Sequence, residues 1–343
     1  MKHLLNTLYV TAQGAYLCRE GETVRVEVER ETRLRLPVHT LGGIVCFGQV
    51  MCSPPLLELC MEQNVAVSFL SEHGRFWARV TGPAHGNVLL RREQYRRADD
   101  EGRSAEIAQV IVLAKVANCR TVLLRALRDR PDSPGAAALQ RTTDSLQRLL
   151  DDLAQPLALE VVRGKEGEAA QHYFGVFDHL ITAQKDGFFF RERSRRPPLD
   201  NLNALLSFLY TLLVHDVESA LETVGLDPQV GFLHRDRPGR PSLALDLMEE
   251  LRPVLADRLA LSLVNRQQVK AEGFRTTETG AVVMDDATRK EVLVAYQKRK
   301  QEELQHPFLN EAVALGLLPY VQAQLLSRFL RGDCDGYPPF LWK

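Results

Sequence analysis

Hydrophobic and polar residues follow two different periods along the chain, and the period changes near residue 88. Before that point, apolar and polar positions alternate in short runs rich in β-branched and aromatic residues, separated by turn signals such as "REGE" and "EHGR". The pattern predicts strands at "NTLYVT", "AYLCRE", "TVRVEVE", "RLRLPV", "GIVCFG", "AVSFLS" and "FWARVTG". One helix is predicted among them, at "SPPLLELCMEQN", with Ser53 as its cap and prolines in its first turn.

After residue 88 the apolar residues recur with helical spacing. The long segment "LLRREQYRRADDEGRSAEIAQVIVLAKVANCRTVLLRALRD" predicts helix, and so do the stretches that follow residues 138, 166, 200, 217, 242, 286 and 310. Turn-rich breaks at "RPDSPG" and "RSRRPPLD" separate them. We therefore predict an α+β multidomain protein, with a small N-terminal β-rich domain at 1–84 and a larger all-helical domain at 85–343.

Composition adds little to this picture. A chain of 343 residues can bury a full core without disulfide or metal staples. Its 43 Lys and Arg against 44 Asp and Glu neither propose nor exclude a nucleic-acid partner. The six cysteines contain no C-x-x-C pair, so we expect buried thiols in a reducing compartment. The N-terminus turns polar too soon for a signal peptide, and the apolar run "ALLSFLYTLLV" is too short to span a bilayer, so we predict a soluble, cytoplasmic protein.

The leucine-rich helix predicted from Ser242 carries acidic residues on a face that is flanked by leucines. At about 100° per residue, one face of this helix is apolar and consists of Ala244, Leu247, Met248, Leu251 and Leu255. The opposite face carries Asp246, Glu249, Glu250 and Pro253. Because Leu243 and Leu245 flank these acids, the polar strip is narrow, which favours carboxylates in a half-buried cleft. A solvated acidic face is the alternative interpretation.

Glu166 and His234 are two further groups in unusual places. Glu166 lies near the predicted start of a helix and shares the inward stripe with Ala169 and Tyr173, so it must be paired, coordinated or protonated. An ion pair with an arginine, or a first-turn acid that complements the helix dipole, would also explain it. His234 ends an apolar stretch and opens a loop, as many structural histidines do. Together with Asp246 and Glu249, these groups form a mixed oxygen and nitrogen set suited to Mg²⁺ or Mn²⁺.

Arginines surround these candidate ligands. One cluster follows three phenylalanines and consists of Arg191, Arg193, Arg195 and Arg196; the loop after His234 adds Arg235, Arg237 and Arg240. Guanidinium groups suit phosphate oxygens, and a metal held by acids beside arginines is what phosphodiester chemistry requires. We therefore predict that the seven arginines bind DNA, although each could instead belong to a solvated loop that balances nearby acids.

The chain resembles the Cas1 family of CRISPR-associated integrases and endonucleases in four segments, which occur in the family's order: "GKEGEAAQHYF", "RRPPLDNLNALLSFLYTLL", "GFLHRDRPGRPSLALDLMEELRP" and "GYPPFLWK". The tail and the length resemble the version found with type I-C systems. The resemblance implies an N-terminal β domain for dimerisation and DNA contact, joined to a helical catalytic domain. It also implies a homodimer, two of which are bridged by a dimer of the small partner Cas2. Whether a Cas4-type nuclease joins the complex stays open.

The resemblance also assigns roles to residues. It implies that Glu166, His234 and Glu249 hold a divalent Mg²⁺ or Mn²⁺ ion, and it chooses Glu249 over Glu250. Asp246 matches another catalytic position, where it could orient a ligand or accept a proton. The implied activity is metal-dependent insertion of captured double-stranded DNA into the CRISPR array as a new spacer. A 3′-hydroxyl would attack a phosphodiester at the repeat boundary by transesterification.

Two other functions fit the same residues. The first is a free-standing metal-dependent nuclease that acts on branched or single-stranded DNA. The second is a DNA-binding scaffold without activity, in which the acids only pair with arginines.

Overall fold

The N-terminal region forms two four-stranded sheets. The structure is a computed structural model that describes residues 6–72, 76–80, 82 and 88–342. Its first eight strands are β1 (Asn6–Val10), β2 (Tyr16–Glu20), β3 (Thr23–Val28), β4 (Glu31–Pro37), β5 (Leu41–Phe47), β6 (Met51–Cys52), β7 (Ala66–Leu70) and β8 (Phe76–Val80). One sheet has the order β4–β3–β2–β6 and the other the order β1–β5–β7–β8. All seven predicted strands are confirmed, and the two-residue β6 was not predicted.

Strand β5 is shared between two cores because its side chains alternate. Ile44 and Cys46 belong to the small core of the β-rich region, whereas Val45 and Phe47 belong to the large core of the helical region. This alternation is the two-residue period of a strand that is buried on both faces. Helix α1 (Pro54–Glu62) covers the small core, and the Ser53 side chain accepts a bond from the first turn, as predicted.

The remainder of the chain is mainly helical. Its helices are α2 (Val88–Ala98), α3 (Glu101–Asp129), α4 (Ala136–Leu153), α5 (Leu159–Gly175), α6 (Asn201–Thr223), α7 (Ser242–Glu249), α8 (Arg258–Asn265), α9 (Asp286–Gln301) and α10 (Leu318–Leu330). A π-helical turn, Pro253–Asp257, leads into α8. Helices α3 and α6 are long and apolar enough to cross a membrane, but most of each apolar stretch is buried inside the protein. Such burial is typical of core helices in a soluble fold.

The prediction of an all-helical second domain was wrong in detail. Two short antiparallel hairpins lie within it, β9 (Phe274–Thr276) with β10 (Val282–Met284), and β11 (Glu303–Gln305) with β12 (Ala312–Ala314). The turn of the first hairpin contains Gly280 at a positive φ of 79°. Strands of three residues are too short to display the alternation that identifies a strand in sequence.

Three predicted boundaries also change. The helix that contains Glu166 begins seven residues earlier, at Leu159, because Gly164 and Gly167 lie inside it rather than marking its start. The segments predicted after residues 200 and 217 form one helix, α6, and the last helix begins at Leu318 rather than near 310. The predicted domain boundary between residues 84 and 85 lies outside the described residues. The six cysteines are free, and four of them are buried.

Candidate active site

Asp246 is a fully buried carboxylate that shapes the loop carrying His234. Its two oxygens accept the backbone N–H groups of Phe232, Leu233 and His234 at 2.6, 2.9 and 2.9 Å. The same carboxylate lies 2.7 Å from Nδ1 of the His234 ring. Because Nδ1 is engaged by Asp246, the other ring nitrogen, Nε2, is the one available to a ligand. Asp246 therefore positions His234.

Close packing explains the glycine at the start of this loop. A Cβ atom on Gly231 would lie 2.8 Å from Oδ2 of Asp246 and 2.8 Å from the backbone carbon of Ser242. Neither atom can move freely, because one is held by the loop and the other begins helix α7. Glycine at this position lets the loop approach the carboxylate closely enough for its three N–H groups to reach it.

Glu249 ends helix α7 and is neutralised by two cations. Its side chain is 2% exposed, with Oε1 at 2.6 Å from Arg252 and Oε2 at 2.7 Å from Nζ of Lys115. Burial alone would raise the pKa of Glu249, but the charges of Arg252, Lys115 and His234 outweigh it and lower the pKa to about 2. Each oxygen of Glu249 therefore faces one cation, and the carboxylate is ionised.

Glu166 approaches the same lysine from helix α5. Its carboxylate forms an ion pair and a hydrogen bond with Lys115, and 28% of its side chain is exposed. The alternative of a first-turn acid is excluded because Glu166 lies in the middle of α5. The alternative of an ion pair is confirmed, but the partner of Glu166 is a lysine rather than an arginine. Glu168, two residues later, is 47% exposed and points away from this cluster.

Lys115, like Arg252, is a site residue that the sequence pattern did not indicate. It lies at the centre of α3, and its side chain is 8% exposed. A single lysine inside the apolar run "VIVLAKVANC" was the available signal, because lysine is almost never fully buried unless it is paired.

The donor set fits a divalent cation, but the three predicted ligands are not assembled around a common point. Within the described ranges, no three His, Cys, Asp or Glu side chains already form a metal-ligand cluster. The ammonium group of Lys115 lies between Glu166 and Glu249 instead. Two carboxylates that already pair with one cation, beside an imidazole, are oxygen and nitrogen donors that suit Mg²⁺ or Mn²⁺. Glu166, Glu249 and Nε2 of His234 would hold such an ion.

The third acid of the strip, Glu250, binds the C-terminal tail. It is fully buried and accepts bonds from the Tyr337 hydroxyl, from the backbone N–H of Phe340 at 2.6 Å and from Nε2 of Gln322 at 3.3 Å. Asn118, one turn from Lys115, donates to the backbone oxygens of Glu250 and Phe340 at 2.7 and 2.9 Å. The "GYPPFLWK" segment therefore ties α3 to the end of α7.

A layer of buried polar groups supports Arg252 from behind. The Arg252 guanidinium lies 5.1 Å from the ring centroid of Tyr210, whose hydroxyl donates to Asp257 at 2.6 Å. Burial raises the pKa of Asp257 to about 6, even though the Tyr210 hydrogen bond and the charge of Arg252 act in the opposite direction. Arg193 also lies over Tyr210, at 5.2 Å. This layer restricts Arg252 to a position beside Glu249.

The predicted strip of acids is therefore more deeply buried than the sequence indicated. Asp246, Glu249 and Glu250 are all buried, so the solvated-face alternative is excluded and the half-buried cleft is corrected to a buried one. The reason is that α7 is enclosed on all sides, by α3, α6, α10 and the loop before His234. The three acids lie on one strip but bind three different neighbours.

The seven predicted arginines divide into three groups. Arg193 is largely buried and donates to Asn203 and Ser207 at 2.6 and 3.1 Å, and Arg235 pairs with Glu160 at 3.0 Å, so both are engaged within the protein. Arg191 is exposed and lies over the Phe189 ring at 5.2 Å. The other four, Arg195, Arg196, Arg237 and Arg240, form no ion pair with a carboxylate of the described residues.

Two distant loops bring these four unpaired arginines together. Burial, and then the charges of Arg237, Arg195 and Arg196, lower the pKa of Arg240, while Asp246 opposes them. Because these positive charges act on one another across two loops, an anionic ligand between them would lower their electrostatic cost. The four therefore form a cationic patch beside the loop that carries His234, which we call the arginine patch.

Comparison with known proteins shows the family to which the chain belongs. The family model described as "CRISPR associated protein Cas1" matches residues 8–298, which is most of the chain. The chain belongs to the Cas1 family. It is similar to the CRISPR-associated endonuclease Cas1 1 of Chlorobaculum tepidum, with 54% identity over 343 residues and full coverage of both chains. A Cas4/Cas1 fusion of Geobacter sulfurreducens is 34% identical over 97% of this chain and 60% of the fusion.

Solved structures show the same fold. The Cas1 protein TM1797 from Thermotoga maritima has a TM-score of 0.82 at 24% identity, with coverage of 98% of this chain and 100% of that one. A casposase bound to an integration product has a TM-score of 0.82 at 20% identity, covering 96% and 92%. A Cas6-RT-Cas1–Cas2 complex also has a TM-score of 0.82, at 23% identity, over 100% of this chain and 36% of that one.

Tyr337→Phe tests the tail contact. The variant removes one donor from the buried Glu250 carboxylate, so we expect a loss of about 1–3 kcal/mol in the free energy of unfolding, measured by urea denaturation. Tyr95→Phe is the matched control, because the Tyr95 hydroxyl donates to Asp227 at 2.8 Å from an exposed position, and it should cost about 0.5 kcal/mol or less. Equal losses in the two variants would contradict the assignment.

Asp257→Asn tests the burial of the carboxyl behind Arg252. The pKa of Asp257 is about 6 in the folded protein against an ordinary value of 3.8. The folded state therefore retains a proton that the unfolded state releases, and wild-type stability falls as the pH rises between these values. Between about pH 4 and pH 7, the free energy of unfolding of wild type should fall by on the order of 2–3 kcal/mol relative to that of the variant. Denaturation at several pH values measures this difference, and a constant difference would oppose the assignment.

Proposed function

We propose that this Cas1 protein is a metal-dependent DNA integrase and endonuclease of CRISPR adaptation. It inserts captured double-stranded DNA fragments as new spacers into the CRISPR array. The observation that carries the proposal is that Glu166 and Glu249 both pair with the Lys115 ammonium group, while His234 lies close enough for its charge to lower the pKa of Glu249. Curated relatives that are similar over the full chain are named endonucleases, which supports phosphodiester chemistry at this cleft.

The proposed reaction is a transesterification. A 3′-hydroxyl oxygen of the captured fragment forms a bond to the phosphorus at the repeat boundary, and the bond from that phosphorus to the 3′-oxygen of the preceding nucleotide breaks. The displaced oxygen takes up a proton as the attacking hydroxyl loses one. Mg²⁺ or Mn²⁺, when bound by Glu166, His234 and Glu249, supplies Lewis acidity toward the phosphate and the hydroxyl.

The protein's own residues position the reactants. Asp246 holds the His234 ring through Nδ1, so that Nε2 is directed to its ligand without reorganisation during the reaction. Arg252 keeps Glu249 ionised and in place. The arginine patch binds backbone phosphates of the DNA, which fixes the scissile bond relative to the cleft.

We further propose the assembly in which this chain acts. It forms a homodimer, two of which are bridged by a Cas2 dimer in the cytoplasm, with the N-terminal sheets contributing to dimerisation and DNA contact. A similarly folded chain is solved in a complex named with Cas2, which supports that partner, and the Cas4/Cas1 fusions support a Cas4-type nuclease. The tail and the length of the chain support the type I-C subtype.

A second candidate is a free-standing metal-dependent nuclease that acts on branched or single-stranded DNA. It would use the same ligands, with water in place of the 3′-hydroxyl. Incubating the protein with Cas2, a DNA fragment and a plasmid that bears a repeat separates the two functions. Joined products support integration, whereas cleavage without joining supports the nuclease.

Glu166→Ala and His234→Ala should each reduce strand transfer by about 100-fold or more, because each removes a metal ligand. The assay is gel analysis of joined products with Mn²⁺. Glu168→Ala is the matched control from the same helix, because Glu168 faces solvent and should leave joining unchanged. If joining survives in the folded Glu166 and His234 variants, the metal-site assignment is wrong and a DNA-binding scaffold explains the acids.

Replacing both Arg237 and Arg240 by alanine should weaken DNA binding and leave Mn²⁺ affinity unchanged. The slope of log K against log salt should fall by about 2 units, because about 0.9 unit is lost for each phosphate contact. Fluorescence anisotropy at several salt concentrations measures this slope. The control removes two exposed lysines of α9, Lys290 and Lys298, and should leave the slope unaltered. Equal slopes for all three proteins would return the two arginines to the solvated-loop interpretation.

A further inference from the structure

The burial of the Lys115 ammonium group has a free-energy cost that nearby opposite charges must offset. The residue lies on α3 between buried apolar residues such as Val112 and Val116. Moving a charged ammonium group out of water costs several kcal/mol, and only close, opposite charges compensate for it. Glu166 and Glu249 supply those opposite charges, because both carboxylates pair with the Lys115 ammonium group.

Lys115 binds both carboxylates of the proposed metal site. Its Nζ atom forms an ion pair with Glu166 on α5 and lies 2.7 Å from Glu249 on α7. Arg252 contacts Glu249 alone, at 2.6 Å. Among the described residues, Lys115 is thus the one cation that bridges the two helices, in the place between two carboxylates that a divalent ion would also favour.

The charges of this cluster balance without any metal. Two carboxylates face two cations, so a divalent ion added to the intact cluster would leave a net charge of about +2 in a buried place. Coulomb repulsion between an ammonium group and a divalent ion at about 4 Å is large inside a protein. The ion and the ammonium group therefore cannot both occupy the space between Glu166 and Glu249.

We propose that Lys115 is a resident counterion of the catalytic cleft, which holds Glu166 and Glu249 together before a divalent ion binds and which that ion must displace. This inference rests on the proposed function, because it assumes that the two glutamates are metal ligands. The flexible four-carbon stem of lysine allows such a displacement, whereas the rigid fork of Arg252 keeps its place on Glu249. Lys115 is accordingly a positioning residue that also sets the affinity of the cleft for the ion.

Titration of the metal-free protein with Mn²⁺ by calorimetry tests the inference. Lys115→Met retains the length of the side chain without its charge, and it should bind Mn²⁺ about tenfold or more tightly than wild type because it removes the competing cation. Without metal, its melting temperature should be several degrees lower, because two carboxylates then share only Arg252. Addition of Mn²⁺ should raise its melting temperature more than it raises that of wild type.

Lys165→Met is the matched control. Lys165 precedes Glu166 on α5 and pairs with Asp152 and Glu168 at 2.6 and 3.5 Å, outside the cleft. Its replacement should leave Mn²⁺ affinity within about twofold of wild type. Unchanged or weaker Mn²⁺ binding in a folded Lys115→Met protein would overturn the proposal. An equal gain in the Lys165→Met protein would also overturn it, because any lost positive charge would then be sufficient.

Two further measurements separate this proposal from others. His234→Ala should abolish most Mn²⁺ binding, and if it does not, the proposed metal site fails rather than the role of Lys115 alone.

Should the Lys115→Met protein not fold, acetylation of wild-type lysines followed by mass spectrometry decides the question. Mn²⁺ should increase the labelling of Lys115, which is protected when it bridges the two glutamates, and unchanged protection would contradict displacement.

Discussion

A buried cluster of four charges is the interaction on which the rest of the catalytic region depends. Glu249 has almost no exposure to water, and its carboxylate remains ionised because Lys115 and Arg252 lie against it. Glu166 completes the cluster from another helix. Because a buried charge without a partner costs several kcal/mol, three helices and a π-helical turn must meet at this point in one arrangement. The fold around the cleft is therefore constrained by electrostatics as well as by packing.

The other acids of α7 support this cluster from two sides. Asp246 organises the loop before the helix and directs the His234 ring, while Glu250 binds the C-terminal tail and, through Asn118, connects to the helix that carries Lys115. These three neighbouring acids thus orient the His234 ring, pair with two cations and bind a structural segment. A leucine-rich helix can include all three because each carboxylate has its own set of donors or cations.

Much of the fold could be predicted from the sequence, because alternation and helical spacing are local properties. The seven strands and the position of α7 are examples. The three-residue hairpins and the true start of α5 could not be predicted, since the first are too short to show a period and Gly164 and Gly167 resemble a helix boundary although they lie inside a helix. Tertiary packing overrides the local preference of glycine there.

The site residues also divide into those that a local sequence pattern indicates and those that depend on the tertiary fold. The candidate acids could be identified because charged residues beside apolar helix faces are unusual, and His234 could be identified because it ends an apolar stretch and opens a loop. Lys115 was not identified, because its meaning depends on two partners that are 51 and 134 residues away in the sequence. The pairing of Arg193 with Asn203, and the collection of Arg195, Arg196, Arg237 and Arg240 into one patch, also depend on long-range contacts that no local pattern encodes.

The central claim is that Glu166, Glu249 and His234 form a divalent-cation site. Before the ion binds, the Lys115 ammonium group occupies the position between the two glutamates. Anomalous diffraction from crystals grown with Mn²⁺ tests it most directly. The account predicts an anomalous peak within bonding distance of both glutamates and of Nε2 of His234, with the Lys115 ammonium group moved away from between the carboxylates. Absence of a peak there at saturating Mn²⁺, or a peak elsewhere with Lys115 still bridging the two glutamates, would contradict it.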